Sequence, residues 1–389
     1  MKTPLKLFIT GLTLLALSTL NSQLSTAFAQ GSLTPPGAPA ATMKSLAQIE
    51  PRTIVNSVNT PGDGTSLFII SQPGSYYLTT NLVGVSGKNG INIAANCVTL
   101  DLNGFALLGG PGSLSAIYIL GAQTNITVRN GTISGWGSSG VYLGSVSSLN
   151  MVFERLNVSA CWRGIDAPGG GVVRDCACET NSTYGIFCFG GIVSGCTADN
   201  NGSYGIYVGS GIASGCSAQN NGTYGISVSA GTGSGCFARN NGTDGISVSG
   251  GTMSGCSAQA NGTDGFYVSG GTVSGCYAYG NQQSDIYVYG SGSAVIGNTC
   301  NDNNTTISSS HAGIYINNRN NRVEDNLVTA SGYAGISVSA SYSGNIIIKN
   351  SVSGNSGNNY LTPGAQFVGP LITTTGTITN SNPWANFSF

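Results

Sequence analysis

The chain has 389 residues, of which 60 are glycine and only 7% are charged, against roughly 25% charged in an ordinary globular domain. Its formal net charge is −1, with 13 Lys and Arg against 14 Asp and Glu, so the basic surface that a nucleic-acid partner needs is not encoded. Glycine does not fall at every third position and no L-x-x-L-x-L frame occurs, which excludes collagen and leucine-rich repeats.

At the N-terminus, Lys2 and Lys6 flank the start of an apolar run from Phe8 to Leu20, and Ala27-Phe28-Ala29 has small–x–small form. This pattern predicts a secretory signal peptide over 1–29, hence a secreted or extracytoplasmic protein. No other segment approaches the ~18 consecutive apolar residues of a membrane helix, so no span is expected in the mature chain. Residues 30–46, with Pro35-Pro36 and many alanines, read as a disordered leader. Residues 47–86 do not repeat and are expected to form an N-terminal cap, because a solenoid end leaves strand edges that need a cover.

From 87 to 359 the sequence is organised in coils. Ile91 and Ile93, Ile117 and Ile119, Val141 and Leu143, and Ile165 mark the early ones. Residues 181–280 then repeat at a period of 20 without slippage, with Asn at 181, 201, 221, 241 and 261 and a Gly-Cys pair ending at 196, 216, 236, 256 and 276. A fixed period of this size marks a repeat that buries its apolar face only against its neighbours. Within a block the apolar residues alternate, as in Ile206-Tyr207-Val208, which is the period of a strand. Three short strands fit one block, roughly 205–208, 212–214 and 216–218, with Gly, Ser and Asn turning the chain between them.

The predicted fold is therefore all-β. It is a single-stranded parallel β-helix of three-strand coils, about twelve turns at a rise of ~4.8 Å, with end caps. Ile286, Ile314 and Ile336 continue the register, and 301–313 reads as an inserted loop. Residues 360–389 break the pattern, and their Trp384, Phe387 and Phe389 are expected to cover the C-terminal end.

Cys176, Cys196, Cys216, Cys236, Cys256 and Cys276 form one column among eleven cysteines. In-register neighbours would hold parallel Cβ vectors about 4.8 Å apart, whereas a disulfide wants about 3.8 Å. A ladder of free thiols in the core is expected, and collinear ligands do not make a tetrahedral metal site. No metal and no cofactor are expected.

The segments LDLNGF at 100–105, NITVRNGTISGW at 125–136, NNRVEDNLV at 320–328 and GNIIIKNSVSGN at 344–355 resemble the right-handed parallel β-helix repeat proteins of bacteria, which share a fold with pectate lyases. The resemblance covers roughly 65–389 and implies a right-handed coil. It does not settle the activity, since that family contains lyases, hydrolases, epimerases, adhesins and uncharacterised exported proteins. The Asp cluster for Ca²⁺ and the Arg base of its lyases, and the N-T-D, D-D and G-H-G segments of its pectin hydrolases, have no match here.

No catalytic residue is assigned. The sole histidine, His311, lies in the Ser-rich insert and reads as a solvated loop residue. One carboxylate pair occupies the same slot of adjacent coils, Asp244 and Asp264. Two carboxyls ~5–5.5 Å apart would suit a retaining glycosidase; the other reading, solvated turn residues, takes support from Tyr184, Tyr204 and Tyr224 in the same slot of earlier coils.

The stronger signal is an outward column on the first sheet: Tyr118, Tyr142, Asp166, Phe187, Tyr207, Ser227, Ser247, Tyr267, Tyr287, Tyr315 and Ser337. Seven of these are aromatic, each between inward apolar residues. Cross-strand stacking on an exposed sheet would account for them. So would sugar contact, which flat rings with polar neighbours suit, and enzymes of the resembling family bind polysaccharide along this sheet. Tyr118, Tyr142, Phe187, Tyr207, Tyr267, Tyr287 and Tyr315 are the candidate carbohydrate contacts. The reading is an exported, non-catalytic β-helix protein with a polysaccharide partner. The alternatives are a polysaccharide lyase or glycosidase with an unrecognised site, or a structural or cell-surface interaction protein.

Overall fold

The computed structural model describes residues 50–303, 311–374 and 376–389. The signal-peptide and leader segments, and most of the 301–313 insert, lie outside the described residues. Arg52–Phe389 forms one compact unit. No helical segment occurs among the described residues, and none is therefore long and apolar enough to cross a membrane.

Every strand pair in the ladders is parallel, and each joins one coil to the next. Ile186 pairs with Ile206, Ile206 with Ile226 and Ile226 with Ile246. The first sheet has fourteen strands, from Ser66–Ile70 to Tyr360–Leu361. The second and third strands of the coils form a 28-stranded arrangement. It is continuous because two long strands, Thr124–Ser134 and Leu149–Ser159, run through the corner that elsewhere interrupts the chain.

Twelve of the fourteen first-sheet strands fall between 89 and 338. The other two extend the ladder into both stretches expected to be caps: Phe68 of Ser66–Ile70 pairs with Ile91, and Tyr360 pairs with Ile336. Their apolar residues, such as Ile70, join the same core. At the C-terminal end, Asn386–Ser388 pairs with the strand Ser351–Ser353. Trp384 and Phe389 stay about half exposed, at 49% and 47%, so backbone pairing and the buried Asn386 close this end rather than the rings.

In the regular block the strands are Ile206–Gly209, Ile212–Ser214 and Ser217–Gln219. The third begins one residue later than the sequence suggests, because Gly215 takes φ 57° and turns Cys216 inward at the corner. That left-handed turn recurs once per coil at Gly195, Gly235, Gly255 and Gly275, where a Cβ would cost roughly 1–2 kcal/mol. Ile206, Val208, Ala213, Cys216 and Ala218 then fill one layer of the core.

The core also holds a polar spine. Asn181, Asn201, Asn221, Asn241, Asn261 and Asn281 are all buried. Asn221 is typical. Its Oδ1 accepts from the Asn201 backbone N and Nδ2, both at 3.0 Å, and its Nδ2 donates to Asn241 Oδ1 at 3.0 Å and to Ala198 O at 2.9 Å. Each amide thus satisfies itself and the turn of the coil before it, which is what makes a buried polar row tolerable. The spine ends at Asn281, whose Nδ2 donates to Asp285 Oδ1 at 2.8 Å.

The thiol column has the same logic. Cys236 N donates to Cys256 Sγ at 3.3 Å, and Cys256 N to Cys276 Sγ at 3.4 Å. From Cys276 onward the slot passes to amides, Asn298, Asn326, Asn350 and Asn386, linked in turn at 3.0, 2.9 and 3.2 Å. All eleven cysteines are free and ten are buried. Burial pushes the thiols of Cys161 and Cys188 up to about 11, which suppresses the reactive thiolate. Titration of the protein unfolded without reductant should therefore find eleven thiols; disulfides mapped between successive members of the column would contradict this packing.

Candidate functional site: the aromatic face of the first sheet

The first-sheet register places the outward column in line. Tyr118 pairs with Tyr142, Tyr142 with Asp166, Asp166 with Phe187, and Phe187 with Tyr207; Tyr267 pairs with Tyr287 and Tyr287 with Tyr315. The flanking Ile206 and Val208 are fully buried. The rings themselves are half-buried rather than largely exposed, because they stack on one another. Tyr118 and Tyr142 lie 5.6 Å apart at 8°, Phe187 and Tyr207 5.0 Å at 5°, and Tyr287 and Tyr315 5.6 Å at 5°. Tyr315 is buried, packed with Ala312, Ala334 and Leu361.

A second ring column, not singled out from the sequence as a contact surface, lies beside the first. Tyr184 stacks on Tyr204 and Tyr204 on Tyr224, with centroids 5.1 and 4.8 Å apart. Its edges meet the first column at 75° and 87°. The signal was the period itself, which puts Tyr in one slot of three successive blocks. Asp166 is buried and held by Arg163 at 2.7 Å, and the Arg163 guanidinium lies over Trp162 and Tyr184. The strand column carries no ring at Asp166, Ser227, Ser247 and Ser337, so it is interrupted between Tyr142 and Phe187 and again between Tyr207 and Tyr267.

Asp244 and Asp264 are not the solvated pair the sequence suggests; both are only 6% exposed. Asp244 Oδ1 accepts from the Thr263 hydroxyl and from the Asp264 backbone N at 3.2 Å. Asp264 Oδ1 accepts from Ser284 N at 2.8 Å. Burial raises both carboxyls, and the neighbouring Asp244 helps push Asp264 up to about 8. Asp264 is therefore a neutral carboxylic acid at pH 7, able to donate a proton or a hydrogen bond.

Asp264 reaches a cleft. It lines a hollow of about 220 Å³ together with Gln283, Tyr287, His311, Tyr315 and Asn317. Ile286 pairs with Ile314, so Gln283 and His311, each three residues earlier, occupy one slot of successive coils. His311 is thus a half-buried wall of the cleft and not a solvated loop residue. Its Nδ1 is enclosed without a hydrogen-bond partner, and burial lowers its pKa, keeping the imidazole neutral. Asn317 Nδ2 donates to the Tyr287 hydroxyl at 2.7 Å and fixes that ring. Among the described residues no group of three or more His, Cys, Asp or Glu could hold a metal ion.

A family model described as "Right handed beta helix region" matches this chain over 68–221, 115–251 and 209–382. The chain belongs to that family. No curated protein matches it in sequence. Among solved structures, the A-module of mannuronan C-5 epimerase AlgE4 of Azotobacter vinelandii is similar at 14% identity, over 78% of this chain and 91% of that one, with a TM-score of 0.45. The periplasmic alginate epimerase AlgG is similar at 10% identity over 86% and 80%, with a TM-score of 0.38. The surface adhesin PfbA of Streptococcus pneumoniae is similar at 10% over 74% and 82%, with a TM-score of 0.30. At these identities the likeness concerns the fold of this β-helix protein and does not carry its chemistry.

Proposed function

We propose that this is an exported β-helix protein that binds polysaccharide along its first sheet without cleaving it. The observation that carries the reading is the pair of ring columns. Half-buried rings, fixed by stacking and standing in register from coil to coil, present a rigid, amphipathic row to a linear polymer of rings. Export rests on the basic, apolar and small-residue pattern of 1–29. The buried free thiols fit that setting, since a thiol kept from solvent is kept from oxidants.

One observation favours a second reading, a polysaccharide lyase or glycosidase. The cleft holds a protonated Asp264 and a neutral His311, one able to give a proton and the other to take one. A glycan array, followed by incubation with each polysaccharide retained, separates the readings. The expected result is retention with no new reducing or unsaturated ends. Cleavage that disappears in Asp264→Asn would establish the enzyme. Neither retention nor cleavage would leave a structural or cell-surface interaction protein.

A further inference from the structure

We infer that the cleft around Asp264, Tyr287 and His311 is the specificity-determining subsite of this face, shaped for one uncharged sugar unit and closed to uronates. The inference rests on the reading of the face as carbohydrate-binding and adds the class of sugar. At about 220 Å³ the hollow is smaller than the roughly 300–1,000 Å³ of sites for drug-sized ligands, so it takes one ring of a chain rather than several. Tyr287 and Tyr315 stack at 5° and supply a flat wall. The Gln283 side-chain amide makes no hydrogen bond among the described residues, and His311 Nδ1 is enclosed without a partner. A hydroxyl-rich ring would meet the Gln283 amide and lie against the exposed part of the neutral His311 imidazole.

A uronate would meet no cation. None of the lining residues is Lys or Arg, and the one carboxyl in the wall, Asp264, brings no positive charge. Arg319 follows Asn317 by two residues but stands at the corner past the strand Ala312–Ile316, outside the lining. Arg163 lies toward the other end of the face and is paired with Asp166. A carboxylate buried there would lose its hydration with no ion pair in return, whereas a neutral pyranose loses only hydroxyl hydration that Gln283 and Asp264 replace.

His311 is the only histidine in the chain, so histidine-labelled protein gives a single imidazole signal that reports on this cleft alone. The probes are hexasaccharides of β-1,4-linked glucose and mannose, set against hexasaccharides of mannuronate and galacturonate. The expected result is a shift of the His311 signal by a neutral hexasaccharide, with at least tenfold weaker binding of both uronates. In Gln283→Arg, which places a cation in the wall, that preference should shrink or reverse. Stronger binding of a uronate by the unaltered protein would overturn the inference and leave carbohydrate binding by the face intact. Neutral oligosaccharide retained without any change at His311 would also overturn it, by placing the subsite elsewhere. Failure of all four to bind would count against the subsite and the face together.

Discussion

Replacing Asn221 by Ala is expected to cost about 4 kcal/mol or more, while replacing its neighbour Asn220 should cost no more than about 1 kcal/mol. Asn221 is the inner residue. Its removal leaves the Asn201 backbone N–H and one Asn201 Nδ2 proton without partners in a dry core, and takes from Ala198 O the second of its hydrogen bonds. Each orphaned group costs about 1–3 kcal/mol, and two of them together are a large share of the ~5–15 kcal/mol that holds a typical domain. Asn220 is exposed and serves only as a left-handed turn residue at φ 53°. The same slot holds Ala260 at φ 52°, so alanine is already accepted there. Denaturant unfolding of the two variants checks the contrast; equal losses would mean that the spine does not carry the coil-to-coil register.

The second large effect is a fall in stability as pH rises. The Asp264 carboxyl is held near pKa 8 in the fold, against 3.8 for the free side chain. Between about pH 4 and pH 8 the folded chain therefore keeps a proton that the unfolded chain has released. Stability contributed by this group is present below pH 4 and is lost toward pH 8, at about 1.4 kcal/mol per pH unit. Asp244 and the fully buried Asp285 are raised as well and act with the same sign. Asp264→Asn keeps an acceptor for Ser284 N and has no proton to lose. It should be more stable than the parent at pH 7.5, and the gap should close toward pH 4.5. Parallel stability curves would show that Asp264 titrates as an ordinary carboxylate.

Much of the architecture was legible because two periods were superimposed. The alternation in Ile206-Tyr207-Val208 marked a strand, and its return after 20 residues marked the coil. The thiol column followed from strand spacing alone. The Asn spine was not legible. Asn reads as a turn residue, and an Asn-Asn pair does not show that one member points inward. The distinguishing trace was positional: the slot through Asn181 to Asn281 never changes, while the slot before it accepts Thr180, Asn200, Ala260 and Gly280. The coils that extend into both expected caps were missed because Ser66–Ile70 and Tyr360–Leu361 stand outside the repeat. The cleft was missed because the insert between Gln283 and His311 lengthens one coil, so that only strand pairing reveals the shared slot. The in-line column of rings was legible, but their mutual stacking, which half-buries most of them and buries Tyr315, depends on side-chain direction rather than on spacing.

The proposed binding role of the first sheet is tested most directly by the variant Tyr207→Ala/Tyr267→Ala/Tyr287→Ala. The core beneath these rings is already filled by Ile206, Val208, Phe266, Val268, Ile286 and Val288. The variant should thus fold, giving up a few kcal/mol of stacking at roughly 0.5–1.5 kcal/mol per ring pair. Its affinity for the polysaccharide retained by the parent, measured by affinity electrophoresis, should fall at least tenfold, which needs only about 1.4 kcal/mol. A folded triple variant that binds the same polysaccharide with unchanged affinity would contradict the account.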